Sequence, residues 1–228
     1  MSKIDVLDEG YVRLVDTLGD DASVVNAARV SYDKEIEVMD ERDERLLVWL
    51  WENGHTSPFR HAALTFEVYA PLFVARQWWK YAVGSTHVDD QNGWNESSRR
   101  YITENEQFYI PDVDEWRSKP ENSKQGSGAP LDTQTGLYFY NELIKTISDG
   151  TQKYHAAMDA GVAPELARLF LPAYGMYVRW RWTTSLHGAM HFIQQRIEHD
   201  AQVEIQEYAK AVKTLTADSF PTTSRIFL

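Results

Sequence analysis

The stretch ALTFEVYAPLFVARQWWKYAV, residues 63–83, contains the two periodicities on which the fold depends. Its first half alternates Leu64, Phe66 and Val68 with more polar residues, and this period of two predicts a strand with one buried face. Pro71 suits the first turn of a following helix, where a missing amide hydrogen costs nothing. The segment therefore predicts a strand that leads directly into a helix.

Strand and helix signals also occur on both sides of this segment. The first 30 residues alternate short apolar runs with acidic turns, which predicts one or two strands followed by a helix beginning at ASVVNAARVS. Residues 40–53 open with acidic side chains and continue with apolar residues at helical spacing, so a helix ending at Gly54 is expected. Apolar residues recur at helical spacing from about 133 to 160, and PELARLFLP begins another short helix after the AGVAP break.

The last third of the chain predicts a long helix or a pair of helices from about 185 to 217. The residues expected to face inward are Leu186, Met190, Ile193, Ile197, Val203 and Ile205. By contrast, Gly, Ser, Pro and charged residues dominate 118–130, which predicts a mobile surface loop. The pattern as a whole is α plus β with helices dominant.

Composition limits the classes of function. With 228 residues and 43% hydrophobic content, the chain can form a substantial core in one domain, or at most in two small ones. A net charge of −11 disfavours a surface that wraps nucleic-acid polymers. No stretch approaches the roughly 18 apolar residues of a membrane helix, so a soluble, cytoplasmic protein is expected. The absence of cysteine excludes disulfides, thiolate metal sites and a cysteine nucleophile.

The segment QNGWNESSRRY, residues 91–101, combines hydroxyls and guanidinium groups in an acidic chain. A solvated charged turn is one interpretation, and a pocket for a small anion is the other. The groups suited to a phosphate are Ser97, Ser98, Arg99 and Arg100. Glu96 would repel a phosphate, so it must face another group, such as a ribose hydroxyl or a partner arginine.

The predicted helix after Pro71 places Gln77 and Lys80 one turn apart. An amide that both donates and accepts, beside an ammonium, matches the edge of a pyrimidine with an anionic group nearby. The adjacent Trp78 and Trp79 are more typical of core packing than of a ring-stacking platform.

The segment HGAMHFIQQRIEHDAQ contains a second group of polar candidates. His187, His191 and Glu198 lie close to one helical stripe, which allows a metal site, but no such pattern recurs on a second helix, so no metal is expected. Arg196 lies among apolar residues, as does Arg168 in ELARLFLP, and both are expected to be buried guanidinium groups that are paired or used.

Motifs spread over almost the whole chain resemble those of the flavin-dependent thymidylate synthases. They are IDVLDEGYVRLVD (4–16), NAARVSYD (26–33), NGHTSPFRH (53–61), PLFVARQW (71–78), NESSRRY (95–101), GVAPELARLFLP (161–172) and QQRIEHDAQVEIQEYA (194–209). The resemblance implies methylation of dUMP at the uracil C5, with 5,10-methylenetetrahydrofolate as carbon donor, NADPH as reductant and bound FAD, and without an enzymic cysteine nucleophile. It also implies a single-domain α/β (α+β) subunit spanning residues 1–228, with mixed helices and an antiparallel sheet, in a homotetramer that shares its sites between chains.

The resemblance also implies roles for individual residues. Nucleotide contacts would come from Gln77, Trp78, Trp79, Lys80, Glu96, Ser97, Ser98, Arg99, Arg100, Arg168 and Arg196. FAD contacts would come from Ser57, Lys80, Tyr81, Ala82, Glu96, Ser185, His187 and His191. Arg196 matches the catalytic arginine that polarises the uracil ring, and His55 and Tyr101 match positions for folate binding or ring stacking.

One departure from the family pattern keeps alternatives open. Lys80, Tyr81 and Ala82 stand where the family usually has Arg-His-Arg, and VGSTHVDDQNGW lengthens the link to Asn95 and Glu96. The same fold can therefore be considered for UMP methylation or for hydroxymethylation of a uracil nucleotide. A helical metal-binding or non-catalytic nucleotide-binding protein is a third hypothesis.

Overall fold

The computed structural model describes residues 2–82, 93–97, 106–121 and 125–228. The strands are β1 (Lys3–Val6), β2 (Gly10–Leu18), β3 (Ala63–Pro71), β4 (Gly93–Glu96) and β5 (Tyr177–Ser185). The helices are α1 (Asp21–Arg29), α2 (Glu41–Glu52), α3 (Leu72–Ala82), α4 (Thr133–Asp159), α5 (Pro164–Ala167), α6 (Leu186–Ile197), α7 (Val203–Ser219) and α8 (Pro221–Phe227). Short 3₁₀ turns are formed by Val30–Tyr32, Ser57–Arg60, Arg168–Phe170 and Ala173–Gly175.

The strands form one sheet in the order β1-β2-β3-β5-β4, and every neighbouring pair is antiparallel. The predicted mixture of helices with an antiparallel sheet is confirmed. The sequence-distant strands β3 and β5 pair along their whole length, with Phe66 opposite Trp182 and Val68 opposite Trp180. This pairing joins the two halves of the chain in one sheet.

One face of the sheet forms the main core. Leu64, Phe66 and Val68 are at most 1% exposed, as the period of two predicts. Trp78 of α3 is fully buried and stacks on Phe192 of α6, with ring centroids 4.2 Å apart. Because such large rings bury much apolar area, this contact fixes α3 against α6 beside the sheet.

The start of α3 differs from the prediction. Pro71 is the last residue of β3, opposite Tyr177, and the helix begins at Leu72. The amide of Leu72 still donates to the carbonyl of Met176 at 2.9 Å, so strand pairing continues up to the helix. A proline at the end of a strand removes no internal ladder bond, which explains why it is tolerated there.

The predicted 185–217 helix is a pair in the structure, α6 and α7, and the strand β5 precedes it. No strand was predicted at β5, although Trp180 and Trp182 alternate with arginines. Leu186 and Ile205 are fully buried as predicted, but Val203 is 38% exposed because it is the first residue of α7, at the surface.

The predicted 118–130 loop is described at its two ends. The amide of Ser118 donates to the carbonyl of Ala129, and the amide of Gly128 donates to the carbonyl of Ser118. These bonds join the ends of the segment to each other. The predicted mobility of the loop remains a prediction.

Candidate active site

Helix α3 carries the candidate residues Gln77 and Lys80, and it follows β3 without a loop. Leu72 at its start and Lys80 in its last turn are eight residues apart, which is about 12 Å along a helix axis. Each end lines a different cavity. We name them the apolar cavity, at Leu72, and the polar cavity, at Lys80.

The polar cavity has a volume of about 640 Å³ and contains three residues that were selected from distant positions of the sequence: Gln77, Lys80 and Arg196. Helix α3 contributes the first two, and Arg196 lies in the last turn of α6. Arg196 is partly buried, in agreement with its apolar surroundings in the sequence. The structure therefore joins an amide and two cations in one cavity.

The amide of Gln77 is held by a residue to which the sequence motifs assigned no role. Its Nε2 donates a hydrogen bond to Oε1 of Gln202 at 2.6 Å, and Gln202 also lines the polar cavity. This bond uses one donor of Gln77 and leaves its carbonyl oxygen and its second N–H for other partners.

The apolar cavity has a volume of about 510 Å³ and contains Glu96, Ser97 and Arg168 among apolar side chains. The amide of Ser97 donates to the carbonyl of Arg179 at 2.8 Å, which ties the end of β4 to β5. Arg168 directs Nε to the carbonyl of Glu165 at 3.2 Å. The apolar cavity is therefore lined by a cation, a hydroxyl and a carboxylate as well as by apolar side chains.

The carboxyl of Glu96 has a perturbed environment. Desolvation raises its pKa above the ordinary value, while the nearby guanidinium of Arg76 opposes the shift. Arg76 was not among the predicted site residues. It stands within the motif PLFVARQW, one residue before Gln77, and that position is the sequence signal that would have suggested it.

The predicted burial of Arg168 is wrong. The residue is exposed, because it lies in a 3₁₀ turn at the surface in which Leu169 and Phe170 are exposed as well. Arg168 and Arg196 also line different cavities of the chain. The single chain therefore does not bring together all of the predicted nucleotide residues.

The residues predicted to contact FAD do not all lie in one cavity either. Lys80 lines the polar cavity and Glu96 lines the apolar cavity. Ser185 is buried and caps α6, since its hydroxyl accepts from the amide of Gly188 at 3.1 Å. His187 is 7% exposed and packs edge-on against Trp51.

The other predicted FAD positions lie on a 3₁₀ turn, on α6 and at the end of α3. Ser57 is exposed at the start of a 3₁₀ turn, and His191 is partly buried on α6. Tyr81 and Ala82 complete α3, and their side chains lie outside the described part of the structure.

Other predicted residues have the following positions. His55 is exposed and stacks on Trp49 with ring centroids 5.1 Å apart. Trp78 is a core residue, as the packing interpretation predicts, whereas Trp79 is 42% exposed and contacts the edge of Trp94. Four further predicted residues lie outside the described ranges: Ser98, Arg99, Arg100 and Tyr101.

The described residues contain neither a metal cluster nor a membrane-spanning helix. Within residues 2–82, 93–97, 106–121 and 125–228, no three His, Asp or Glu side chains come together as metal ligands. In the same ranges, no helix has the length and apolar character needed to cross a bilayer.

The polar cavity has side chains of both charges. Its cations are Lys80 and Arg196, its carboxylates are Glu198 and Asp200, and Gln77 and Gln195 provide amides that can both donate and accept hydrogen bonds. An α/β subunit with concave clefts of this size is typical of a protein that binds small molecules.

Comparison with known proteins defines the class further. A family model described as thymidylate synthase complementing protein matches residues 13–222. The flavin-dependent thymidylate synthase of Thermosipho africanus is 38% identical over 98% of this chain and 92% of its own length. The flavin-dependent thymidylate synthase of Thermus thermophilus is also 38% identical, over 96% of this chain and 75% of its own length. A UMP/dUMP methylase, PolB from Streptomyces cacaoi, solved with 5-Br UMP, superposes with a TM-score of 0.82 at 27% identity over 98% of this chain and 96% of that one. The chain belongs to the flavin-dependent thymidylate synthase family, which consists of flavoprotein methyltransferases.

Proposed function

We propose that the protein methylates dUMP at C5 to form dTMP, with 5,10-methylenetetrahydrofolate as carbon donor, NADPH as reductant and FAD as cofactor. The observation that carries the proposal is the presence of Gln77, Lys80 and Arg196 in one cavity of a chain that belongs to this family. All three match family positions for the nucleotide, and they come from two helices that are distant in the sequence. Because the chain has no cysteine, the reaction proceeds without a thiolate attack on the pyrimidine.

The residues of the polar cavity have distinct roles in this proposal. Arg196 places positive charge beside the uracil ring and stabilises the negative charge that develops on it. Gln77, oriented by Gln202, hydrogen-bonds the edge of the ring. Lys80 holds a phosphate, and FAD, when bound, supplies the redox chemistry that side chains lack.

The apolar cavity completes the site from a second copy of the chain. Arg168 and Ser97 can donate hydrogen bonds to a phosphate, and Glu96 can accept hydrogen bonds from a ribose hydroxyl or an arginine. Exposed apolar side chains surround Arg168: Leu166, Leu169 and Phe170 are 55%, 77% and 51% exposed. Such a patch is typical of a surface covered by another protein, which supports a homotetramer with shared sites.

The single-domain organisation over residues 1–228 belongs to the same proposal. The main core contains residues from Val6 to Phe220, so both ends of the chain pack into it. The proposed ligands are small molecules and not nucleic-acid polymers, whose binding a net charge of −11 disfavours.

The absorbance spectrum of the purified protein tests the cofactor. A flavin spectrum is expected, either as isolated or after FAD is added and excess is removed, and addition of dUMP should perturb it. Turnover of dUMP to dTMP should then require NADPH and methylenetetrahydrofolate together. A protein that neither retains FAD nor converts dUMP contradicts the proposal.

UMP methylation is the second candidate. It is favoured by the structural likeness to PolB, a UMP/dUMP methylase, at a TM-score of 0.82. The divergent Lys80-Tyr81-Ala82 segment also separates this chain from the usual family pattern. Comparison of kcat/KM for dUMP and UMP, with product mass measured in each case, distinguishes the two substrates and reveals any hydroxymethyl product.

A further inference from the structure

Helix α2 ends in a turn that carries two stacked rings at the surface. Trp49 is 52% exposed, and His55, six residues later, is exposed as well. Their ring centroids are 5.1 Å apart, with an interplanar angle of 20°. The family resemblance assigns folate binding or ring stacking to His55 but gives no role to Trp49. The indole is therefore a candidate for a role that acts through the imidazole.

The backbone of the turn determines that these two rings meet. The amide of Gly54 donates to the carbonyl of Trp51 at 3.1 Å, and the amide of His55 donates to the carbonyl of Leu50 at 2.8 Å. Gly54 has a φ of +70°, in the left-handed region that glycine adopts most readily. These features form a Schellman motif, in which the residue after the glycine contacts the last turn of the helix. Here that contact is the stack of His55 on Trp49.

The residues on both sides of the turn are anchored in the core. Leu50 is 6% exposed, and Trp51 packs edge-on against Phe59 with ring centroids 5.5 Å apart. Phe59 is fully buried in the 3₁₀ turn Ser57–Arg60, which follows directly. The exposed imidazole of His55 is therefore carried by a short segment that is fixed at both ends.

The exposed imidazole can receive a second planar ring on the face opposite to the indole. Because aromatic rings associate in offset stacks, a ligand ring on His55 would extend the pair to a third layer. The pterin and aminobenzoate groups of a folate are planar rings of this kind, whereas a ribose or a phosphate is not. Ser57, a predicted FAD position, is only two residues further along the same segment.

We propose that Trp49 is a positioning residue, which holds the imidazole of His55 in the orientation that stacks on a planar ring of the folate co-substrate. The inference rests on the proposed function, which supplies the folate. Trp49 acts through His55 and does not itself contact the ligand. Without the indole the imidazole has more rotamers available, and ordering it on binding costs free energy.

Equilibrium titration of the holoenzyme with folic acid, at saturating dUMP, provides the test. Folic acid has the same two ring groups and no transferable carbon, so binding is measured without turnover. Trp49→Ala should weaken folic acid binding about fivefold, which is within the range of one aromatic pair. Trp49→Phe keeps a ring for the stack and should remain within about twofold of the wild type. The affinity for dUMP should be the same in all three proteins.

A double-mutant cycle separates positioning from a direct contact with the ligand. If Trp49 acts through His55, Trp49→Ala should have no further effect on folic acid binding once His55→Ala has been introduced. Additive losses would overturn the positioning role, because the indole would then act independently of the imidazole. Wild-type folic acid affinity in Trp49→Ala would overturn it as well.

Asn53→Ala is the matched control in the same turn. Asn53 donates from Nδ2 to the carbonyl of Trp49 at 2.8 Å, so its removal weakens the helix end and leaves both rings in place. Urea unfolding should show reduced stability for this variant, while its folic acid affinity should equal that of the wild type. A loss of affinity equal to that of Trp49→Ala would show that helix-end stability controls binding, and the proposal would fall.

A second variant keeps the proposal testable if Trp49→Ala does not fold. Trp49→Leu retains an apolar side chain without a ring, and wild-type folic acid binding by this variant overturns the assignment.

This inference and the proposed function fail in different ways. A wild type that methylates dUMP, with a folic acid affinity that does not depend on Trp49, overturns only the positioning role. A wild type that binds no folic acid overturns the positioning role as well. Absence of dUMP turnover in the wild type would instead contradict the proposed function, and the folic acid titrations would still measure the effect of Trp49 directly.

Discussion

The side-chain amides of Gln77 and Gln202 are joined by a hydrogen bond of 2.6 Å across 125 residues of sequence. Gln77 belongs to α3, and Gln202 immediately precedes α7. Gln202 also lines the polar cavity. The orientation of a proposed uracil contact therefore depends on how α7 packs beside α3.

Gln202→Leu should weaken dUMP binding about fivefold, because Gln77 loses the acceptor that orients it, and a hydrogen bond contributes about 1 kcal/mol. Gln202→Glu keeps an acceptor oxygen but adds a negative charge to a cavity proposed to bind a phosphate, so it should recover only part of the affinity. Isothermal titration with dUMP measures both. Gln152→Leu, at an exposed position of α4, is the control. Equal affinities for the Leu variant and the wild type would contradict the positioning role.

Arg196→Ala should largely abolish methyl transfer, while reduction of bound flavin by NADPH survives, because the arginine is assigned to the uracil ring. Rapid-mixing absorbance under anaerobic conditions measures the flavin step, and dTMP formation measures the complete reaction. Arg196→Lys retains a charge without the planar fork and should recover part of the activity. Equal loss of both steps would show that Arg196 is structural.

Arg168→Ala should weaken nucleotide binding by about 1.5–3 kcal/mol, which is the usual contribution of a hydrogen bond to a charged group. Phosphate is the proposed partner, so the variant should lose affinity for dUMP but not for deoxyuridine. Arg45→Ala, in which an exposed arginine of α2 is removed, is the control. A variant with unchanged dUMP affinity would exclude Arg168 from the phosphate site.

Leu169→Asp should dissociate the proposed homotetramer, because it places a charge in the centre of the exposed apolar patch around Arg168. Sedimentation velocity should show a species well above the 26.3 kDa chain for the wild type and a smaller one for the variant. Val38→Asp is a matched control, because Val38 is 82% exposed in a different region. A wild type that sediments as a monomer would contradict the shared-site proposal.

Tyr208→Phe should change how stability depends on pH. Burial raises the pKa of Tyr208 well above its ordinary value of 10.0. Above pH 10 the unfolded chain therefore loses a proton that the folded chain keeps, and stability falls by up to about 1.4 kcal/mol per pH unit for this group.

The variant lacks the hydrogen bond from Tyr208 to the carbonyl of Tyr69 and should be about 1 kcal/mol less stable at pH 7. Its disadvantage should shrink and then reverse above pH 10, since it has no hydroxyl to ionise. Urea unfolding at several pH values measures the difference. A constant difference from pH 7 to pH 11 would contradict the assignment.

The elements with a simple periodicity were predictable from sequence. The alternation of Leu64, Phe66 and Val68 corresponds to the buried face of β3, and the helical spacing from 133 to 160 corresponds to α4. The alternation of Trp180 and Trp182 with arginines carried an equivalent signal for β5, from which no strand was predicted. Burial of Arg168 was predicted wrongly, because its apolar neighbours in the sequence are themselves exposed in the single chain.

The site was predictable in its residue types but not in its arrangement. Motifs selected Gln77, Lys80 and Arg196, and the structure places them in one cavity. Gln202 stands within the motif QQRIEHDAQVEIQEYA but was given no role, because its role follows from a contact with Gln77.

The sequence by itself determined the family, the absence of cysteine chemistry, and most helices and strands, because these depend on residue identity and on burial patterns repeated within a few positions. Only the tertiary structure decided which distant side chains share a cavity. That outcome depends on the register of β3 against β5 and on the packing of α6 and α7, to which distant parts of the chain contribute.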